Sequence, residues 1–473
     1  MLAFCLPLWS LAQVPAGNQT DTPVPELNDS TDLRLVEIDK VFVLGNKKTR
    51  ERIILREVMF TAGDTLRRYQ IARLIQRSKN NLRNTRLFLD TEITALEVSD
   101  TKIDIVVKVT ERWYIFPIPI FKLADRNFNE WWVNQDRDFN RVDYGIKFFH
   151  YNMRGRGERL RLVLQNGFTE RYELNYSIPY LDKAQRNGMI LSLNYIENNT
   201  VAYRSFDHRQ QFTRSEENLR QVYLADVSWS HRRSFNEFHY VSLRYSKTAI
   251  ADTLANLNPD YLLNGRTEQQ YFLLQYQYTR DYRNNVAYPL NGSLFTALAS
   301  KTGLGIFDDI DLYQLRSSYH RYIDLKKGFY LSGLVRGKLS TLNQQPYFNF
   351  RGLGYRLDMV RGLELNVIEA QYFVLNKLTL KKRLFSKKAH IGLIPFREFR
   401  NIPLAVYVKA YFDSGYAGNN FTYENNTRLT NRYIYGGGVG LDFVSFYDFV
   451  LRTEYSFNLE GERGLFLNFK AAF

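Results

Sequence analysis

At 473 residues, with 33 Tyr, 34 Phe and only 12 Pro under a negative mean hydropathy, the chain has a composition suited to apolar residues that alternate with polar ones. It contains no run of about 18 apolar residues, which argues against a membrane-spanning helix and leaves a membrane β-barrel open. The formal charge of +15, from 64 Lys plus Arg against 49 Asp plus Glu, fits nucleic acid, anionic lipid or a solvated surface equally well.

The chain opens on "MLAFCLPLWSLAQ". Residues 1–12 read as a secretory signal peptide lacking its basic n-region, with Ser10-Leu11-Ala12 as the cleavage site. Cys5, the single cysteine, falls inside it, so the mature chain has no disulfide framework and no thiolate chemistry. Residues 13–33 are rich in Pro, Thr, Asn and Asp without periodicity and read as a disordered linker.

A compact unit is expected over 34–113. "IDKVFVLGN" alternates Val41 and Val43 and stops at the turn signal Gly45-Asn46. Thr49 is placed to cap a helix over 50–60, and Gly63-Asp64 to end it. A second helix begins near Tyr69, with Ile71, Leu74, Ile75, Ser78 and Leu82 on one face. "DTEITALEV" and "KIDIVVKVTERW" then read as strands. The order β-α-α-β-β can bury a small core with two helices on one face of a three-stranded sheet.

From residue 114 to 473 the helical period disappears. Segments of about 10 to 14 residues with period-two alternation take its place, bounded by Gly, Asn, Asp or Pro. The pattern gives sixteen strands, an even number as a closed bacterial barrel requires, the first at 141–150, the fifth at 200–212 and the last at 463–473. The long connections 251–268, 342–365 and 414–431 follow odd-numbered strands, while 383–401 after strand twelve breaks that rule. A soluble sandwich would alternate similarly, but sixteen strands with this many aromatics would overload one sandwich core.

Chemistry-bearing motifs are few. "FDDIDL" (Asp308, Asp309, Asp311) lacks calcium-loop spacing and reads as an acidic loop. The six histidines show no metal-ligand spacing, and no nucleophile-base arrangement is present, so no enzyme, metal site or cofactor is expected. "YGGGVGLDF" does not sit between a strand and a helix start, so its glycines fit the close approach of another backbone better than a nucleotide. The basic stretches "MRGRGER" (153–159) and "KKRLFSKK" (381–388) lack the context of a nucleic-acid binder and suit a barrel rim, as partners for acidic headgroups or as simple solubilising charge.

Four segments carry a family resemblance. "IDKVFVLGNKKTRERIILRE" resembles a polypeptide-transport-associated (POTRA) domain. "MVRGLE" (Val360, Arg361, Gly362) resembles the loop that folds back into the lumen of the BamA/TamA assembly-factor barrels, "AYFDSG" (Asp413, Gly415) the strand facing that loop, and "DYRNNVAYPLNG" (Asp281, Arg283, Pro289, Gly292) a periplasmic turn. The resemblance covers about residues 34–473. It implies one periplasmic POTRA domain before a sixteen-stranded transmembrane barrel in the bacterial outer membrane. It also implies a seam between strand 141–150 and strand 463–473 with its terminal Phe473. Implied partners are outer-membrane lipid, unfolded outer-membrane or secreted clients, and periplasmic chaperones or accessory lipoproteins; nucleic acid is not among them.

A guanidinium inside a barrel loses hydration and needs a fixed acceptor, for which Asp413 is the candidate. The strand-twelve acid common in that family is absent: "FVLNKLTL" offers Asn376 and Lys377, so a smaller network is expected around Arg361. The function implied is assembly or insertion of clients, bound by strand addition at the POTRA sheet. The alternatives are a transporter dedicated to one secreted partner, or a passive porin or structural barrel.

Overall fold

The computed structural model describes residues 32–123, 142–307, 310–355, 358–390, 401–421, 426–445 and 449–470. The signal-peptide segment, residues 13–31 of the linker, Asp308, Asp309 and Phe473 lie outside the described residues.

The first unit comprises β1 (Leu35–Leu44), α1 (Glu51–Leu55), β2 (Thr65–Arg67), α2 (Arg68–Asn84), β3 (Phe88–Ser99) and β4 (Lys102–Glu111). Its sheet runs β2-β1-β4-β3, with β1 parallel to β4 and the other pairs antiparallel. The expected three-stranded sheet therefore gains β2, which is too short to display a period-two pattern. The helix expected over 50–60 stops at Leu55, and its N-cap is Arg50 without a side-chain cap bond. Thr49 is buried instead, its hydroxyl 3.1 Å from the Tyr114 hydroxyl and accepting from Asn152 Nδ2 at 2.9 Å.

On α2, Ile71, Ser78 and Leu82 are buried, with Leu74 and Ile75 packed against the same core as Ile38, Ile105 and Val107. Full burial of each such aliphatic contributes about 1.5–3 kcal/mol. Ser78 is tolerated on that face because its hydroxyl accepts the Met59 N–H at 2.9 Å. At the predicted turn, Gly45 has φ +89°, and a Cβ there would lie 2.1 Å from the Val109 carbonyl oxygen, so only glycine fits. Asn46 Nδ2 donates to the Thr49 carbonyl at 3.2 Å, closing the turn.

Sixteen strands then form one antiparallel sheet. In chain order they begin with β5 (Ile115–Leu123), β6 (Val142–Met153), β7 (Glu158–Asn166), β8 (Thr169–Ile178) and β9 (Asn187–Asn198). A separate hairpin of β10 (Thr200–Phe206) and β11 (Arg209–Arg214) intervenes. The large sheet resumes with β12 (Arg220–Ser234), β13 (Glu237–Ile250), β14 (Glu268–Asp281), β15 (Gly292–Thr302), β16 (Leu312–Lys326) and β17 (Phe329–Ser340). It ends with β18 (Tyr372–His390), β19 (Asn401–Gly418), β20 (Arg432–Val444), β21 (Val450–Asn458) and β22 (Arg463–Lys470).

The sequence-based count of sixteen holds, but two of its assignments do not. β5 is the first strand, although "IFPIPIF" reads poorly as one because of its prolines, and an end strand tolerates missing N–H donors. The segment 200–212 is not a wall strand but most of the β10–β11 hairpin. The end strands of the sheet are accordingly β5 and β22, and the strand at 141–150 lies second, paired on both sides with β5 and β7. Among the described residues no ladder joins β5 to β22. The irregular connection after strand twelve also shrinks, because β18 and β19 extend to His390 and from Asn401.

Register fixes the two faces. Across six adjacent strands the cross-strand partners Trp229, Val241, Tyr276, Ala299, Leu315 and Leu339 form one row, exposed and apolar on the outside. The next row, Ser228, Ser242, Gln275, Ser300, Gln314 and Ser340, is polar and faces inward. Apolar outside and polar inside is the arrangement of a barrel in lipid and the reverse of a soluble sandwich.

The first unit packs on one end of the barrel, here the near end. Arg50 N–H donates to the Gly155 carbonyl at 2.9 Å. Arg232 grips both carboxylate oxygens of Glu57 at 2.6 and 2.8 Å, with side chains 14% and 4% exposed. "MRGRGER" spans the turn between β6 and β7, where Arg154 and Arg156 close on the buried Glu158.

Candidate functional site

The connection 341–371 between β17 and β18 folds into the lumen. Val360, Leu363 and Ile368 bury there against Phe373, Leu375 and Ala417 of the wall. That packing presents Arg361 to β19. Its Nη2 donates to Asp413 Oδ1 at 2.6 Å and its Nε to Oδ2 at 2.8 Å, while its backbone N–H reaches Oδ2 at 3.1 Å. The guanidinium also donates to Thr379 at 3.0 Å and stacks 3.9 Å over the Tyr411 ring. The Asp413 side chain is fully buried. A bidentate pair in this setting is both strong and orientation-specific.

Glycines make the approach possible. Asp413 pairs with Gly436 across the sheet, and a Cβ on Gly436 would lie 2.1 Å from the Arg361 carbonyl oxygen. A Cβ on Gly415 would lie 3.1 Å from Leu353 Cδ1 and 3.5 Å from Val360 Cγ2. Gly362, at φ +97°, offers its carbonyl to Asn458 Nδ2 at 2.8 Å. The backbone that approaches the "YGGGVGLDF" glycines is thus the infolded loop.

The expectation of a smaller network is overturned. Lys377 of β18 does take the place of an acid, 3.7 Å from Asp413, but Glu454 of β21 supplies the second carboxylate, 3.5 Å from Arg361. Glu454 accepts from Lys409 at 2.8 Å, and Lys409 pairs with the buried Asp442. Lys409 and Glu454 both pair with Gly440, so the two side chains meet over a position without one. Asp442 accepts from the Tyr288 hydroxyl at 2.8 Å and lies 3.5 Å from Lys381.

Tyr288 belongs to the turn 282–291, which also holds Pro289. In that turn Arg283 chelates Asp281 at 2.9 and 2.6 Å, and Gly292 at φ +107° leads into β15. Asn84 of α2 accepts the Val286 N–H at 3.1 Å. A continuous polar chain therefore links the infolded loop, the wall and the first unit. Glu454, Lys409, Asp442 and Tyr288 were not singled out in the sequence, where each is one polar residue in an alternating strand or turn.

The far end is covered by the β10–β11 hairpin. Ser205 donates to Glu369 of the infolded loop at 2.5 Å. His208 at the tip is fully buried: its Nδ1 lies 3.2 Å from the Val367 carbonyl, and its Nε2 accepts the Leu429 N–H at 2.8 Å. This pair of partners requires the neutral ring with its proton on Nδ1, and burial lowers the His208 pKa below 6.5. Arg428 pushes the same way, whereas Asp207 opposes it. Burial also raises the pKa of nearby Glu369, a contribution of opposite sign.

A depressed histidine pKa contributes docking stability that is present above 6.5 and lost as pH falls below it, by up to ~1.4 kcal/mol per pH unit while the docked ring stays neutral. Protection factors against hydrogen exchange at residues 200–214 should fall as pH drops from 7.5 to 5.5, and His208→Asn should abolish that dependence. Equal pH dependence in both proteins would contradict this assignment.

A barrel whose lumen holds a locked loop and whose near end carries a small β-α-β-α-β-β unit defines a class of outer-membrane-type proteins. Residues 152–355 match the Omp85 superfamily domain, and residues 36–112 match the POTRA family described as a surface antigen variable number repeat. The two matches together support the BamA/TamA-type Omp85 superfamily with a POTRA domain, a family of outer-membrane β-barrels.

It is 39% identical over 79 residues to the outer membrane protein assembly factor BamA of Nitratidesulfovibrio vulgaris, a match covering 16% of this chain and 9% of that protein's length. BamA from Haemophilus ducreyi lacking POTRA domains 1–3 is similar in structure, with a TM-score of 0.50 at 16% identity, covering 92% of this chain and 84% of that one. CdiB from Escherichia coli has a TM-score of 0.52 at 10% identity, covering 92% of this chain and 75% of that one.

Proposed function

We propose that the chain is an outer-membrane assembly factor that binds unfolded clients by strand addition at its POTRA sheet and delivers them to the seam between β5 and β22. The observation that carries this reading is that, among the described residues, no ladder joins those two end strands of an otherwise continuous sheet. Unpaired strand edges template other strands. A second edge is β3, which among the described residues pairs only with β4, and its Leu96 and Val98 are 50% and 56% exposed. Main-chain bonding at such an edge gives affinity with little sequence demand, which suits many clients. In this reading the first unit lies in the periplasm and the β10–β11 hairpin at the cell surface.

The locked loop in the lumen weighs against a passive porin. Depletion separates the readings. Loss of several folded outer-membrane barrels is expected; accumulation of one secreted protein would favour a dedicated transporter, and an unchanged membrane proteome would overturn the proposal. Leu96→Lys with Val98→Lys should lower client cross-linking to β3 several-fold while leaving the barrel folded, and unaltered cross-linking would remove β3 as the client edge.

A further inference from the structure

Between the first unit and the inner wall lies a cavity of about 420 Å3, lined by Arg56, Glu57, Arg159, Tyr180, Arg186 and Arg232 among others. Four of these six carry a guanidinium and one a carboxylate. Glu57 is fully engaged by Arg232 at 2.6 and 2.8 Å. Arg56 comes no nearer to it than 4.0 Å and stacks 4.0 Å over the Tyr180 ring. Asp281, also on the lining, is chelated by Arg283 at 2.9 and 2.6 Å.

Arg159 occupies the inward phase of β7, and its hydrogen bond is from Nη2 to the Thr85 carbonyl at 3.1 Å. Among the described residues it meets no carboxylate. Tyr180 is partly buried and lies within electrostatic range of Arg56, Arg232 and Arg159 together, so these cations line one space. Guanidiniums gathered along one cavity lining repel one another, a cost that a bound anion removes.

We propose that this cavity is an anion site for a phosphate-bearing molecule, whose oxygens bridge Arg159 of the barrel wall and Arg56 of the first unit. The planar guanidinium fork matches phosphate in a bidentate manner. Because the two arginines come from different units, occupancy also fastens the first unit to the near end. The site does not depend on the assembly reading, and its test involves no client.

The full chain is placed in nanodiscs of phosphatidylcholine and titrated calorimetrically with inorganic pyrophosphate. One-site binding is expected, weakened about tenfold or more by Arg159→Gln and by Arg56→Gln and unchanged by Arg428→Gln at the far end. Pyrophosphate should raise the melting temperature of the wild type and not that of Arg159→Gln. Arg159→Gln keeps a donor for Thr85 and removes a cation without a carboxylate, so without pyrophosphate its melting temperature should not fall.

Nanodiscs containing phosphatidylglycerol distinguish the source. If a lipid headgroup is the occupant, they stabilise the wild type alone and compete with pyrophosphate; if a soluble phosphate is, they do neither. Absence of pyrophosphate binding by the wild type, binding unaffected by both substitutions, or a large loss of stability in Arg159→Gln without ligand would each overturn the proposal.

Discussion

Replacing Asp413 with Ala should release the infolded loop at a cost of about 3–5 kcal/mol, because it strands the Arg361 guanidinium in a site only 13% exposed. Arg361→Ala removes the same pair from the other side and leaves Asp413, Lys377 and Glu454 to rearrange. The two substitutions should not add: the double variant is expected to lose about 2 kcal/mol less than the sum of the singles. Denaturant unfolding in micelles, read alongside heat-modifiable gel migration, measures the cycle. Strict additivity would mean that the pair observed in the lumen does not act as a unit. Glu454→Gln should lower stability less, since Arg361 keeps both bonds to Asp413.

The second large effect is expected where the two units meet. Glu57→Ala leaves Arg232 buried beside the Phe235 and Phe238 rings, each 5.4 Å from its guanidinium, and should weaken docking of the first unit by about 3 kcal/mol. The loss should appear as separation of the two units and not as unfolding of the barrel. Spin-label distances between α2 and the turn 282–291 would broaden, and Arg232→Met in the same chain should restore part of the docked population. Unchanged distances in Glu57→Ala would assign the contact between the units to the remaining bonds, those of Thr49, Asn84, Arg159 and the backbone among them.

How far the sequence led is clearest from particular residues. Arg361 and Asp413 were legible because each sits in a short motif with a glycine beside it, and the long connection after strand eleven positioned the loop. Glu454 was not. Its partnership depends on register across β19, β20 and β21, which period-two alternation does not encode. The absence of an acid from strand twelve therefore predicted a weaker network when the carboxylate had only moved to another strand.

The sixteen-strand count survived two compensating misreadings. Pro117 and Pro119 hid β5, and the alternation of 200–212 belongs equally to a hairpin that lies across the far end. His208 was invisible for a related reason: its burial comes from Val367 and Leu429, more than 150 residues away in the chain. In the first unit, Thr49 had the right chemistry for a cap, but tertiary partners in Tyr114 and Asn152 claimed its hydroxyl.

The most direct test of the assembly function is reconstitution. An unfolded barrel client is diluted into liposomes with and without the protein, and the folding rate is followed with the end strands free or joined by a disulfide engineered between β5 and β22. The account predicts faster client folding with the protein present, and loss of that acceleration when the seam is joined. Equal rates with and without the protein, or acceleration that persists with β5 and β22 joined, would contradict it.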